Sequence, residues 1–103
     1  MKFNPVLFAK AISDETRQKI MKICCCASVS VSEIVEKLDV SQPTVSHHLA
    51  ILREADLVTI REEGKQTFYT LNQESVAVCC GQIMLKFAPE DKATEAVIKV
   101  VNR

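Results

Sequence analysis

The sequence predicts a mainly helical domain with one small β-hairpin, and two stretches of the chain are the basis for this α+β fold class. Residues 29–54 contain two amphipathic helical patterns separated by a tight turn. Residues 57–71 contain two alternating patterns on either side of a glycine, as is typical of a hairpin. With 103 residues, 48% hydrophobic and 25% charged, the chain fits a single domain over 1–103 with one core.

The first two helices are predicted from helix-start signals and apolar spacing. A short helix over 5–11 begins at Pro5, a residue suited to the first turn of a helix. Ser13 is the expected cap of a second helix, because acidic residues follow it at the positive end of the helix dipole. This helix runs through Cys24 and is expected to end at Ala27 and Ser28. The alternating, β-branched triplet 29–31 predicts one short strand.

Residues 32–54 predict a helix-turn-helix. Ser32 is the expected cap of its first helix, in which apolar side chains recur at helical spacing. Ser41 is the expected cap of the second helix, and Pro43 in its first turn costs no hydrogen bond. The apolar residues expected to face the core are Ile34, Val35, Leu38, Val45, Leu49 and Leu52.

A hairpin and two more helices are predicted after residue 54. Strands over 57–61 and 66–71 flank a turn at 62–65, and Asn72 is the expected cap of a helix from 73 to about 87. Pro89 is expected to start a final helix. The predicted apolar sides of these two helices are Val76, Cys80, Ile83 and Phe87, then Ala93, Ala96, Val97, Val100 and Val101.

The terminal segments, 1–12 and 73–103, carry more apolar surface than one small domain covers. We therefore expect them to pack against a second copy of the chain, so that a two-fold homodimer forms. With the helix-turn-helix at 32–54 and the hairpin at 57–71, the element order is that of a winged helix-turn-helix. Such a dimer would place two recognition helices about one turn of DNA apart.

Small hydrogen-bonding side chains cover the outward face of the second helix of the helix-turn-helix. They are Gln42, Thr44, Ser46 and His47. Such groups at the N-terminus of a helix can reach base edges in the major groove of double-stranded DNA. The chain has 13 basic and 13 acidic residues, so it lacks the overall positive charge usual in nucleic-acid binders. Phosphate contacts depend instead on where the basic groups lie.

The five cysteines indicate thiol chemistry in a reducing compartment. The chain shows neither a signal peptide nor an apolar run near the ~20 residues of a membrane span, so we expect a cytoplasmic protein without a membrane partner. Cysteines in such a compartment serve as ligands or redox thiols more often than as disulfides. They are clustered, with three consecutive residues at 24–26 and a pair at 79–80.

Three stretches of the chain resemble the ArsR/SmtB family of bacterial metal- and thiol-responsive repressors: AISDETRQKIMKI, VSVSEIVEKLDVSQPTVSHHLAILREADLV and REEGKQTFYTL. The resemblance covers roughly residues 8–71. It implies a homodimer that binds operator DNA and leaves it when an inducer binds. It also implies base contacts from Gln42, Thr44, Ser46 and His47, and contacts to phosphates or the minor groove from Ser41, Arg61, Lys65 and Gln66.

Two sensor sites of the family are absent from the sequence, and this narrows the inducer. Where arsenic and cadmium sensors have cysteines flanking a valine, this chain has Ser30 and Ser32, whose hydroxyls are poor ligands for a soft metal. The segment after the hairpin, 73–87, has no histidine for a zinc, nickel or cobalt site. The remaining candidate ligands are thiols.

We predict a cysteine site for a soft, thiophilic ion between the second helix and the helix after the hairpin. Trivalent arsenic or antimony held by thiolates fits best, ahead of cadmium, lead or mercury, and a tetrahedral zinc site lacks a CxxC motif. Cys26 is the weakest candidate, because on a continuing helix it points away from the Cys24 face. The predicted ligands are Cys24, Cys25, Cys79 and Cys80.

Other interpretations stay open at this point. The same cysteines could sense persulfides or oxidants, and a single cysteine could be inert core packing. An enzyme is not expected, since no cysteine is paired with a base in the sequence and no cofactor loop is present. No permanent cofactor is predicted. A winged helix that binds only other proteins is the last alternative.

Overall fold

The computed structural model describes residues 3–101, and the side chains of residues 3–99. It confirms the mainly helical fold with a small antiparallel sheet. In chain order the elements are α1 (Pro5–Ile12), α2 (Glu15–Cys24), β1 (Val29–Ser30), α3 (Val31–Leu38), α4 (Gln42–Glu54), β2 (Val58–Glu63), β3 (Gln66–Leu71), α5 (Gln73–Phe87) and α6 (Lys92–Val101). Among the described residues, no helix is long and apolar enough to span a membrane.

The sheet joins the hairpin to the start of the helix-turn-helix. The strand order is β1-β3-β2, and both pairings are antiparallel. In β1, Val29 pairs with Tyr69 and Ser30 pairs with Phe68, both of which lie in β3. The central strand of the wing is therefore hydrogen-bonded to the residues that precede α3, and this fixes the position of the wing relative to α3.

The core lies where α2, α3 and α4 meet the sheet. The predicted inward residues Ile34, Val45, Leu49 and Leu52 are buried, and Ile20 and Leu57 join them. Full burial of such a side chain is worth about 1.5–3 kcal/mol, so this cluster holds the recognition helix α4 against the rest of the domain. Val35 and Leu38, also predicted to face inward, are half-buried against the same core.

The structure corrects two predicted helix caps. Asp14, not Ser13, caps α2, and its carboxylate accepts a hydrogen bond from the Arg17 backbone N–H at 2.9 Å. Ser30, not Ser32, caps α3, because the Glu33 carboxylate reaches back to the Ser30 N–H and completes a capping box. Val31 is consequently the first residue of α3 and not part of the predicted strand.

The boundaries of two later elements also differ from the prediction. Strand β2 continues to Glu63, so the hairpin turn is confined to Gly64 and Lys65, with Gly64 at a φ of 62°. Helix α6 begins at Lys92 and not at Pro89, because the Asp91 side chain accepts the Ala93 N–H at 2.8 Å.

The predicted apolar sides of the last two helices are only partly correct. In α5, Cys79 is fully buried, Cys80 is half-buried and Phe87 is exposed. Val76, Cys80 and Ile83 pack against the core as predicted, and both α1 and α6 lie against α5. In α6 the buried residue is Thr94, whereas the predicted Ala93 and Ala96 are exposed in a single chain. The side chains of Val100 and Val101 lie outside the described residues.

Candidate DNA interface and cysteine sites

The N-terminus of α4 is held by its cap and presents its polar face to solvent. The Ser41 hydroxyl accepts the Thr44 N–H at 3.3 Å and lies 2.8 Å from the Thr44 hydroxyl. Pro43 occupies the first turn, where its missing N–H leaves no bond unmade. All the predicted base-contacting residues are exposed: Gln42, Thr44, Ser46 and His47.

The wing provides the basic groups near this face. Lys65 and Gln66 are exposed at the hairpin turn. The Arg61 guanidinium lies over the Phe68 ring, 4.8 Å from its centroid, and forms an ion pair with Glu63. Arg61 is thus partly engaged within the wing. Of the two basic residues among the four predicted phosphate or minor-groove contacts, Lys65 is the one without such a partner among the described residues of the wing.

A cleft between the helix-turn-helix and the wing brings together residues that are distant in sequence. Its volume is about 220 Å³, and Gln42 from α4 faces Lys65 and Gln66 from the hairpin across it. The remaining lining residues are Ser30, Val31, Ser32 and Thr67. The recognition helix and the wing therefore form one continuous polar surface.

Arg17 is a functional candidate that the sequence reasoning missed. It is 8% exposed, and its guanidinium donates to the carbonyl oxygens of Ala11 at 2.8 Å and Lys10 at 3.1 Å. A third nitrogen lies 3.1 Å from Nδ1 of His48 on α4. The sequence did contain an indication of this role. Arg17 lies three positions before Ile20, so a charged residue falls on the apolar face of α2.

Three of the five cysteines belong to the hydrophobic core or pack against it: Cys24, Cys79 and Cys80. Cys24 is fully buried, and burial raises the pKa of its thiol to about 11. Cys79 is fully buried and Cys80 is half-buried, and burial raises the pKa of both thiols. A thiol with a raised pKa is a weaker nucleophile and ligand at neutral pH, because the thiolate is the reactive form.

The other two cysteines form a pair at the end of α2. Cys25 is half-buried, Cys26 is exposed, and their sulfur atoms lie 2.9 Å apart. The predicted ligands Cys24, Cys25, Cys79 and Cys80 do not converge within one chain, since the described residues contain no group of three side chains able to hold a metal ion. That ligand set stays a prediction.

A winged helix with an exposed polar recognition helix, and with Lys65 at the hairpin turn, is typical of a DNA-binding transcriptional regulator. The family model described as "Bacterial regulatory protein, arsR family" matches residues 14–59. The chain belongs to this family, whose members are regulators that bind operator DNA and not enzymes.

Known relatives agree with this assignment. The transcriptional repressor SdpR of Bacillus subtilis is 38% identical over 63 residues, 61% of this chain and 70% of the relative. An arsenical resistance operon repressor of Escherichia coli is 31% identical over 100 residues, 96% of this chain and 86% of the relative. The solved structure of reduced HlyU from Vibrio cholerae matches with a TM-score of 0.65 and 33% identity, covering 81% of this chain and 86% of that one.

Proposed function

We propose that this chain is a homodimeric repressor that binds palindromic operator DNA through α4 and the wing, and that As(III) or Sb(III), bound by cysteine thiolates, releases it. The exposed polar N-terminus of α4, flanked across one cleft by Lys65 and Gln66, carries the DNA-binding part of this proposal. Operator binding and free thiols would both be consistent with action in the cytoplasm.

An apolar groove between α1 and α5 supports the homodimer. It measures about 480 Å³ and is flanked by Val6 and Phe87, which are 77% and 75% exposed in a single chain. Apolar side chains grouped around one groove are typical of an interaction surface, and a two-fold copy would cover them with the same surface. Its other lining residues are Pro5, Ala9, Gln82, Ile83 and Lys86.

Substitutions on α4 and the wing test the DNA interface. We expect Gln42→Ala and Ser46→Ala each to reduce discrimination between operator and mismatched duplex by about 10- to 100-fold, since a good base contact is worth about 1–3 kcal/mol. Lys65→Ala should weaken binding to all duplexes alike and lower the salt dependence by about one phosphate contact. Fluorescence anisotropy with labelled palindromic duplexes at several salt concentrations measures both effects.

Glu54→Gln is the matched control, because Glu54 is exposed at the opposite end of the same helix. It should leave discrimination unchanged. Equal binding of operator and mismatched duplexes by the wild type would contradict sequence-specific recognition. Unchanged discrimination by Gln42→Ala and Ser46→Ala would contradict base contacts from these two residues, and no binding of any duplex by the wild type would point to a protein-interaction domain.

The cysteines and the relatives support a thiol-directed inducer. All five cysteines are free thiols, and soft ions such as trivalent arsenic prefer thiolate ligands. The Escherichia coli relative is an arsenical resistance operon repressor. Thiol oxidation is the second candidate, because the HlyU match is to a structure described as reduced.

Titration of the reduced wild-type complex distinguishes these two inducers. We expect about one equivalent of arsenite per protomer to release labelled operator, and excess dithiothreitol to restore binding by competing for arsenic. Peroxide or a persulfide donor should have no such effect under the same conditions. Release by the oxidant alone would assign the protein to redox sensing, and release by neither would contradict a thiol-directed inducer.

A further inference from the structure

We propose that Cys25 and Cys26 form a dithiol site for monosubstituted trivalent arsenicals, and that this site controls the wing and α5. The inference rests on the proposed function, in which a thiophilic ligand releases DNA, and it names both the ligand class and the two sulfurs. The two sulfur atoms are 2.9 Å apart. Cys26 is exposed and Cys25 is half-buried, so the pair is accessible from solvent.

The end of α2 at Cys24 explains why two consecutive side chains meet. Consecutive residues of a helix point about 100° apart, so Cys25 and Cys26 on a continuing helix would diverge. Here the helix ends at Cys24, the Cys25 N–H bonds to the Lys22 carbonyl at 3.3 Å, and residues 25–27 bend. The bend brings both thiols to one side of the chain.

The site is chemically distinct from the buried cysteines. The hydrogen bond with Cys25, and then the charge of Cys25, raise the pKa of the Cys26 thiol, while the nearby Lys22 ammonium opposes this rise. Cys26 is exposed, so a ligand can approach it without opening the core, whereas Cys24 and Cys79 are fully buried.

Two thiols match the coordination that a monosubstituted arsenical needs. Such a compound, R–As(OH)₂, has three bonds, one of them to carbon. When two thiols react, two As–S bonds replace two As–O bonds, each thiol proton leaves with a hydroxyl as water, and arsenic remains trivalent. No electron is transferred, so no oxidant or reductant is required. Arsenite on the same pair would keep one oxygen ligand or need a third thiolate.

The bend that carries the dithiol is bonded to α5, and Ser28, the residue that follows the bend, is bonded to the wing. The Cys25 carbonyl accepts a hydrogen bond from Nε2 of Gln73, in the first turn of α5, at 2.6 Å. The Ser28 hydroxyl lies 3.0 Å from the Thr70 hydroxyl on β3. Closing a ring through arsenic constrains the backbone between the two cysteines, and these two bonds pass that constraint to the elements that position and pair the DNA-binding surfaces.

Phenylarsine oxide is the probe for this site. With the reduced full chain, native mass spectrometry should show one phenylarsenic per protomer, formed with loss of one water from the oxide. Cys25→Ser and Cys26→Ser should each bind it at least about 100-fold more weakly, because the second As–S bond is intramolecular. Cys80→Ser tests the rival half-buried thiol on α5 and should bind like the wild type if the pair is the site. Ala27→Ser is the matched control, since it places a serine at the next exposed position without removing a thiol.

The same samples are then followed for DNA release by anisotropy. We expect phenylarsine oxide to lower operator affinity about 5- to 150-fold, the usual range for coupling between two sites. Gln73→Ala should bind the arsenical normally but release DNA less, whereas Glu74→Gln, at the next exposed position, should behave as the wild type. Far-ultraviolet circular dichroism confirms that each variant is folded.

The outcomes separate the site from the proposed function. The dithiol site would be overturned if Cys25→Ser and Cys26→Ser bind phenylarsine oxide as tightly as the wild type while Cys80→Ser loses binding. An adduct on this pair without any DNA release would support the site and overturn the inducer mechanism. Release after peroxide, with a Cys25–Cys26 disulfide and no response to phenylarsine oxide, would overturn the ligand class.

Discussion

At the scale of single residues, Arg17 joins three helices through one side chain. Its guanidinium is bonded to the carbonyls of Lys10 and Ala11 at the end of α1, and it contacts His48 on the recognition helix. A buried charge is costly unless its donors are paired, and these acceptors pair them. Because an arginine can only donate, the His48 Nδ1 must be unprotonated to accept. The Arg17 contact to α4 therefore depends on neutral His48.

This arrangement predicts that acid weakens the domain through His48. Burial lowers the pKa of His48 below its ordinary value of 6.5, Arg17 and His47 lower it further, and Asp14 opposes them. The unfolded chain then binds the proton more readily, so this contribution to stability is complete above about pH 6.5 and is lost as pH falls toward the folded pKa. Urea unfolding between pH 5 and 8 should show a smaller pH slope for His48→Gln, whose amide oxygen can still accept from Arg17.

His47→Gln is the control for this pH dependence, since His47 is exposed on the same helix. It should reduce the slope less than His48→Gln does, because His47 is the smallest of the causes that lower the pKa of His48. An identical slope in His48→Gln would mean that other groups cause the loss of stability in acid.

At the scale of elements, a helix or strand was predictable where its own residues specify it. Ser41 and Pro43 mark the start of α4 locally, and alternation alone gave both hairpin strands. The start of α3 was missed because two serines compete to cap it. Pairing of Ser30 with Phe68 on a distant strand keeps Ser30 extended, and Glu33 then completes its capping box. Phe68 is 38 positions after Ser30, so the residues around Ser30 could not predict this pairing.

The two candidate sites differ in the same way. The DNA-binding face follows from helical period, so its exposed residues could be predicted from the sequence. The thiol pair depends on where α2 ends, and a helix end can shift by one residue for small differences in free energy. One further helical residue would have separated Cys25 from Cys26, and this is why the sequence indicated Cys24 and Cys25 on a continuous helix instead.

At the scale of the whole molecule, the proposed homodimer would hold two recognition helices at a fixed spacing. The half-sites of such a dimer lie about 34–36 Å apart, and binding the second half-site becomes intramolecular once the first is bound. The groove between α1 and α5 is the surface that we expect to set this spacing. The other exposed apolar side chain of α5, Leu85, lies in a separate groove beside α6.

Charged substitutions in the two grooves test which one is the dimer interface. Val6→Glu and Phe87→Glu should leave the fold intact, because both side chains are exposed in one chain, but should give monomers by analytical ultracentrifugation. Their operator affinity should fall about 10²- to 10⁴-fold as the second half-site is lost. Leu85→Glu, the same change on the same helix, should remain dimeric and bind normally. The reverse pattern, with Leu85→Glu monomeric and Phe87→Glu dimeric, would move the interface to α6 and change the spacing between the recognition helices.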